Sequence, residues 1–380
     1  MSIFLDHNAT TPLSPLARQA MLSAIDGGWG NPGSVEHARG RSAQAQVEQA
    51  RTQIANCIGA SSREMIFTSG ATEANNLAII GTARFRKRHE GRNTVVVPLT
   101  EHKCVLEAAR SLTSEGFEVR EIPVDPSGEL DWNALEAAID NSVALVSCML
   151  VNNETGLINK LSQISALCES FDVKVHCDAA QALGKTNLDV TALGVDLLSL
   201  SAHKAYGPMG VGALYVRRRP RARLAPLFHG GGQEAGLRSG TLPLPQIVGF
   251  AAAAQEAVTM LDAENARLQQ LQTQLEQGLK SLFSDVGLKD QADQRVPHTV
   301  NASFPGMDYR TLFDHTTRGF DVSSGSACSS NDVAPSYVLT AMGLDPATAR
   351  ATLRIGMGRN TTAAHIDSFL DHMNQLARPA

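Results

Sequence analysis

Cysteine is scarce: the chain has six in 380 residues, and none forms a Cys-x-x-Cys pair. That excludes a disulfide scaffold, offers no zinc or redox-pair spacing, and makes reduced thiols the expectation. Positive charge is not in excess either, with 33 Lys+Arg against 38 Asp+Glu and a net charge of -5. Without a basic field, direct binding of nucleic acid is not expected. No apolar run is long enough to cross a bilayer, so no membrane association is expected. The amino-terminal stretch Met1 to His7 lacks the basic start and apolar core of a secretory signal, and its Asp6 argues against a transit peptide; a cytoplasmic location is expected. Internal repeats and low-complexity tracts are missing too. The one dense basic run, Arg217-Arg218-Arg219-Pro220-Arg221, reads as a solvated turn.

What is present is apolar material for a substantial core, 43% hydrophobic against 19% charged residues. The length exceeds what one core usually spans, which predicts two domains. Short β-branched runs at Thr94 to Val97, Val143 to Leu150, Val173 to His176, Val195 to Leu200 and Val211 to Val216 read as strands buried on both faces. Helical patterns alternate with them, over Thr72 to Arg88, Cys104 to Glu115, Trp132 to Ile139 and Leu161 to Glu169. Such alternation predicts an α/β fold with a mainly parallel sheet. Beyond Gln246 an alanine-rich stretch leads into a long helix carrying Leu261, Leu268, Leu271, Leu275, Leu279 and Leu282, a plausible hinge. The expected division is a large domain over residues 13–256 and a small α/β domain formed by 1–12 and 257–380. The small domain should hold a strand at Thr299 to Phe304 and helices over Pro335 to Met342 and Thr362 to Leu376.

Three polar strings sit where strands end, which is where open α/β sheets bind ligands. In Ser199-Leu200-Ser201-Ala202-His203-Lys204, a buried strand releases a lysine flanked by two hydrogen-bonding side chains, with Gly207, Gly210 and Gly212 nearby. In His176-Cys177-Asp178-Ala179-Ala180-Gln181, a carboxylate follows a strand and an amide comes three residues later. His176 and Asp178 could belong to a metal site, but no further ligand cluster completes a shell. Alternatively, Asp178 could hold a protonated ring nitrogen of the kind found in pyridoxal phosphate (PLP), with Lys204 supplying a Schiff base. In Thr68-Ser69-Gly70-Ala71-Thr72-Glu73, a helix start could cradle a phosphate or could be an ordinary capped terminus.

Taken together with Ser323-Ser324-Gly325-Ser326-Ala327-Cys328-Ser329-Ser330, these strings resemble the cysteine desulfurases, in particular the branch of nitrogen-fixation and iron-sulfur-cluster enzymes. The resemblance runs from Leu5 to Arg354. It implies a fold type I PLP enzyme with a seven-stranded sheet and a homodimer whose active sites are shared. Residue by residue, it implies that Lys204 forms the Schiff base, that Asp178 pairs with the ring nitrogen and Gln181 with the ring hydroxyl, and that His102 stacks on the ring. It further implies that Ala71, Thr72, Ser201 and His203 bind the phosphate with Thr241 from across the dimer, and that Asn152, Arg354 and Asn31 bind substrate. The implied reaction converts L-cysteine to L-alanine, with the sulfur taken by Cys328 and passed to an acceptor protein in iron-sulfur assembly, tRNA thiolation or DNA phosphorothioation. A selenocysteine lyase or another class V aminotransferase is the rival reading.

Cys328 is flanked by serine, glycine and alanine, an accessible setting of the kind a reactive thiol needs. Residues Ser323 to Asp332 are expected to form a mobile loop. The other cysteines, Cys57, Cys104, Cys148, Cys168 and Cys177, lie in apolar or helical contexts and read as packing thiols. His102 is the candidate to help deprotonate Cys328. Met209 and Thr155 depart from the family pattern and are not expected to touch the chemistry.

Overall fold

The computed structural model describes residues 2–27, 29–288, 294–324 and 334–377. Twelve strands occur among them: β1 (Ile3–Phe4), β2 (Met65–Thr68), β3 (Thr94–Pro98), β4 (Glu118–Ile122), β5 (Val143–Ser147), β6 (Lys174–Asp178), β7 (Leu197–Ser201), β8 (Gly212–Val216), β9 (Gly287–Leu288), β10 (Thr299–Ser303), β11 (Phe320–Asp321) and β12 (Thr352–Gly356). Seven form one sheet in the order β2-β8-β7-β6-β5-β3-β4. Pairing is parallel from β4 through β3, β5 and β6 to β7, and antiparallel where β8 meets β7 and β2. The switch has a simple cause. Residues 202–211 are too few for the helical crossover that a parallel pairing requires, so the chain turns straight back. That short return carries Lys204.

Helices α1 (Pro15–Gly27), α2 (Ala38–Asn56), α3 (Ala71–Glu90), α4 (Lys103–Ser111), α5 (Trp132–Ala138), α6 (Leu161–Glu169) and α7 (Val190–Leu193) cover the sheet. β3, β5 and β7 are buried along their whole length, as continuous apolar runs predict. The Val143 to Leu150 reading overshoots: the strand ends at Ser147, although Cys148 and Leu150 still donate to the carbonyls of His176 and Asp178 at 3.0 Å. β4 went unread because its sequence Glu-Val-Arg-Glu-Ile is polar, as befits an edge strand.

The long helix α8 (Leu244–Leu282) spans 39 residues. Ile247, Phe250 and Ala254 on its first half pack into the core under the large sheet. Leu268, Leu275 and Leu279 on its second half pack with Val300, Leu353, Ile355 and Phe369 around the small antiparallel sheet β12-β10-β9. None of the described helices is long and apolar enough to cross a membrane.

The segment Gly230 to Thr241 is fixed to this frame by charge. Glu234, at φ 51°, sends its carboxylate inward to take two hydrogen bonds from Arg51 at 2.7 Å and one from the Phe67 amide at 2.6 Å. Both side chains are buried. Removing one partner strands the other charge, so Glu234→Ala should cost roughly 3–5 kcal/mol of stability, read as a lowered midpoint in urea unfolding; an unchanged midpoint would contradict the clamp.

Candidate active site

One cavity of about 580 Å³ opens where β2, β6 and β7 end, and it is lined by residues from all three polar strings together with His102 and Arg354. Its floor depends on a close backbone approach. A Cβ on Gly212 would lie 2.4 Å from the Leu200 carbonyl oxygen and 2.7 Å from the Gly70 Cα, so only glycine lets β8 pass this close to the start of α3. Gly70 itself caps α3 at φ 154° and ψ -179°, a conformation open to glycine, and the amides of the first helical turn are left facing the cavity beside Ala71 and Thr72. Glu73 closes that turn by accepting from the Ser69 amide at 2.8 Å, and it is held by Arg238 at 2.7 Å.

Asp178 ends β6 and is buried. Its Oδ1 accepts from the Ala180 amide at 2.9 Å and its Oδ2 from Asn75 Nδ2 at 2.7 Å. Because Asp178 pairs with Ser199 in register, the end of β7 lies alongside, and the helical turn Ala202–Lys204 brings the lysine round to the same cavity. Lys204 Nζ donates to the Asn8 carbonyl. Burial, reinforced by the Arg354 charge, lowers its pKa from 10.5 to about 8 against the opposing pull of Asp6 and Asp178. His203 pairs through Nδ1 with Thr10 Oγ1 at 3.1 Å, and burial, then Lys204 and Lys185, lowers its pKa to about 4, so it is neutral.

Gln181 Nε2 also donates to the Asn8 carbonyl, at 2.8 Å, while its Oε1 accepts from Lys185 Nζ. Lys185 is buried, and burial followed by repulsion from Lys204 and Arg354 lowers its pKa to about 7. Arg354, on β12, donates to Asp6 Oδ1 at 2.9 Å and to the Asn153 carbonyl at 3.4 Å; its Nε has no partner among the described residues. His102 caps α4. Its Nδ1 accepts from the Cys104 amide at 3.2 Å, and burial lowers its pKa.

Not every expected residue lines this cavity. The Asn152 side chain is spent on its own turn, accepting from the amides of Glu154 at 2.9 Å and Thr155 at 3.0 Å and donating to the Thr100 carbonyl at 3.1 Å, while its neighbours Val151 and Asn153 line the wall. Asn31 and Thr241 sit together in a separate hollow of about 370 Å³ beside Arg51 and Glu234. Cys328 and the rest of residues 325–333 lie outside the described residues.

Two readings need correction, those of Cys104 and Met209. Cys104 is not mere packing: it lines the cavity, with its sulfur 2.9 Å from His102 Nδ1 and 3.2 Å from Asn75 Nδ2. Met209 lies at the rim of the same cavity, and the Thr155 hydroxyl donates to Asn152 at 3.3 Å. His176 is held between the hydroxyls of Ser147 at 2.8 Å and Ser199 at 2.9 Å, and no group of three or more His, Cys, Asp or Glu that could hold a metal occurs among the described residues. Sequence reasoning missed Lys185, Asn75 and Asn8. Lys185 stands four positions after Gln181 and Asn75 three after Thr72, spacings that a turn would bring together, whereas the Asn8 carbonyl leaves no mark in a sequence.

An amine with a pKa near 8 is reactive well below the ordinary lysine range. Reaction of Lys204 with an acylating reagent, followed by peptide mapping across pH in cofactor-free protein, should rise with pH through a midpoint near 8 as the amine loses its proton. A midpoint near 10.5 would contradict the electrostatics described.

Known proteins bear on this geometry. The model of the family described as Aminotransferase class-V matches residues 3–369. The cysteine desulfurase of Pongo abelii is 45% identical over 368 residues, covering 96% of this chain and 79% of that protein. The cysteine desulfurase IscS of Rickettsia bellii is 44% identical over 367 residues, covering 97% and 89%. A solved structure described as a NifS-like protein superposes with a TM-score of 0.91 at 34% identity, over 99% of each chain. The architecture is that of fold type I PLP enzymes. The chain therefore belongs to the PLP-dependent class-V aminotransferase family and, within it, to the cysteine desulfurases.

Proposed function

We propose that this chain is a PLP-dependent cysteine desulfurase that converts L-cysteine to L-alanine and collects the sulfur on Cys328 as a persulfide. The observation that carries the proposal is the joint placement of the Lys204 amine, the buried Asp178 carboxylate and the α3 amino terminus around one cavity. Their chemistry fits PLP: an amine of lowered pKa for the aldehyde, a carboxylate for the ring nitrogen, and backbone amides for a phosphate. When bound, PLP supplies an electron sink for the carbon skeleton of the amino acid.

In this reading Lys204 would tether the cofactor, Asp178, held by Asn75, would pair with its ring nitrogen, and Gln181, held at the Asn8 carbonyl, would bond its ring hydroxyl. His102 would stack on the ring, and Ala71, Thr72, Ser201 and His203 would bind the phosphate. Arg354, which lines the cavity, presents its planar fork to the substrate carboxylate. Asn152 shapes the wall on which the substrate rests by fixing the turn that carries Val151 and Asn153. The Lys204 amine would take the α-proton of the substrate, a task suited to a base near pKa 8. Cys328 attacks the substrate sulfur: a sulfur–sulfur bond forms, the carbon–sulfur bond breaks, and the carbon left behind gains a proton to give alanine. No external oxidant or reductant is needed.

The chain functions as a homodimer in which Thr241 and Asn31 complete the cavity of a second copy. Their separation from the cavity of their own chain supports this, as do the exposed apolar side chains Leu16, Ile25 and Trp29 just ahead of Asn31. The two apolar cores joined by α8 support a large domain over residues 13–256 and a small domain over 1–12 and 257–380. The persulfide is delivered to an acceptor protein.

Mass spectrometry after L-cysteine treatment should find one added sulfur on Cys328 and alanine in solution. Cys328→Ala should abolish sulfur transfer; unchanged sulfide release would favour the aminotransferase or lyase reading. Arg354→Ala should raise KM for cysteine by about ten- to a hundredfold, the equivalent of losing a hydrogen bond to a charged group. An unchanged KM would remove Arg354 from the substrate site.

A further inference from the structure

The hydrogen bonds around His102 have a direction. Asp178 is a carboxylate and can only accept, so the Asn75 amide must turn its NH₂ toward it, at 2.7 Å. The same Nδ2 lies 3.2 Å from Cys104 Sγ and donates to it, as does the Thr72 hydroxyl, so the sulfur is an acceptor toward both. The proton of the thiol points elsewhere. On the far side of the sulfur, at 2.9 Å, stands His102 Nδ1. That nitrogen already accepts the Cys104 backbone N–H at 3.2 Å, which makes it the unprotonated nitrogen of the ring. The thiol is therefore the donor to it. Burial, joined by the negative charge of Asp178, keeps the thiol protonated, with a pKa of about 12. Asn75 is fully buried, Cys104 is half-buried, and His102 stands open to the cavity.

We propose that Cys104 is a positioning residue for His102: with Asn75 behind it, the thiol fixes the neutral imidazole in the tautomer that carries its proton on Nε2. The cavity then meets a hydrogen-bond donor at His102. A nitrogen that carries a proton cannot take one from Cys328, so this tautomer is the alternative to the expectation that His102 deprotonates that thiol. The charges that face His102 come from four elements. Lys103 on α4, Lys204 after β7 and Arg354 on β12 favour the neutral ring, and Asp178 at the end of β6 opposes them. The inference concerns the protein alone and rests on the proposed function only for its consequence in catalysis.

The test is long-range ¹H–¹⁵N NMR of the full chain with ¹⁵N-labelled histidine, with and without PLP, His102 being assigned by loss of its signals in His102→Gln. A pyridine-type Nδ1 and a pyrrole-type Nε2 are expected in the cofactor-free protein. Cys104→Ala, which leaves only the 3.2 Å backbone N–H on Nδ1, should raise the share of the Nδ1-protonated tautomer and raise the His102 pKa by roughly half to one unit, as the loss of one of its two neutral hydrogen bonds implies. Cys104→Ser, which keeps a donor, should restore both. A wild-type His102 with its proton on Nδ1 would overturn the proposal without reference to any variant. So would a Cys104→Ala protein of unchanged unfolding midpoint whose His102 tautomer and titration match the wild type. Failure of PLP to bind would count against the proposed function and leave the tautomer result standing.

Discussion

Everything at the site depends on the register between β6 and β7. Pairing Asp178 with Ser199 sets the carboxylate at the end of one buried strand beside the end of the next, and the tight return into β8 then swings Lys204 into the space above it. A slip of one residue would turn each side chain to the other face of the sheet. Burial of β5 and β7 along their whole length and of β6 from Val175 to Asp178 holds the register, so the core and the chemistry rest on one constraint.

The second constraint is electrostatic. Lys204, Lys185 and Arg354 lie close to one another and largely out of water, with Asp6 and Asp178 as counter-charges near Lys204 and Glu264 near Lys185. Like charges and burial act in the same direction on an amine, and both lysines are drawn toward neutrality. They are not equivalent, however. Lys204 lines the cavity, whereas Lys185 is bonded to Gln181 behind its wall. The first is placed to react and the second to orient an amide. Protonation of either amine as pH falls adds a desolvated charge to this cluster.

Much of the fold could be read in advance, because buried parallel strands are continuous apolar runs and α8 carries leucines at helical spacing. The edge strand β4, with its alternating charges, does not carry that mark. The cavity was legible where side chains follow strand ends in polar strings, as at Asp178 and Lys204. Other contributors were not legible, for definite reasons. The Asn8 carbonyl, which accepts from both Gln181 and Lys204, is backbone. Cys104 lies on a helix whose pattern is apolar, and only the cap geometry of His102 reveals that its thiol faces the site. Asn152 shows the opposite error: a polar residue next to the cavity whose side chain serves its own turn.

We propose that Lys204, and not the more deeply buried Lys185, carries the cofactor. Borohydride reduction of the PLP-loaded protein, followed by proteolysis and mass spectrometry, tests this directly. A single pyridoxyl group, on the peptide containing Lys204, is expected. A label on Lys185, on another lysine or on none would contradict it.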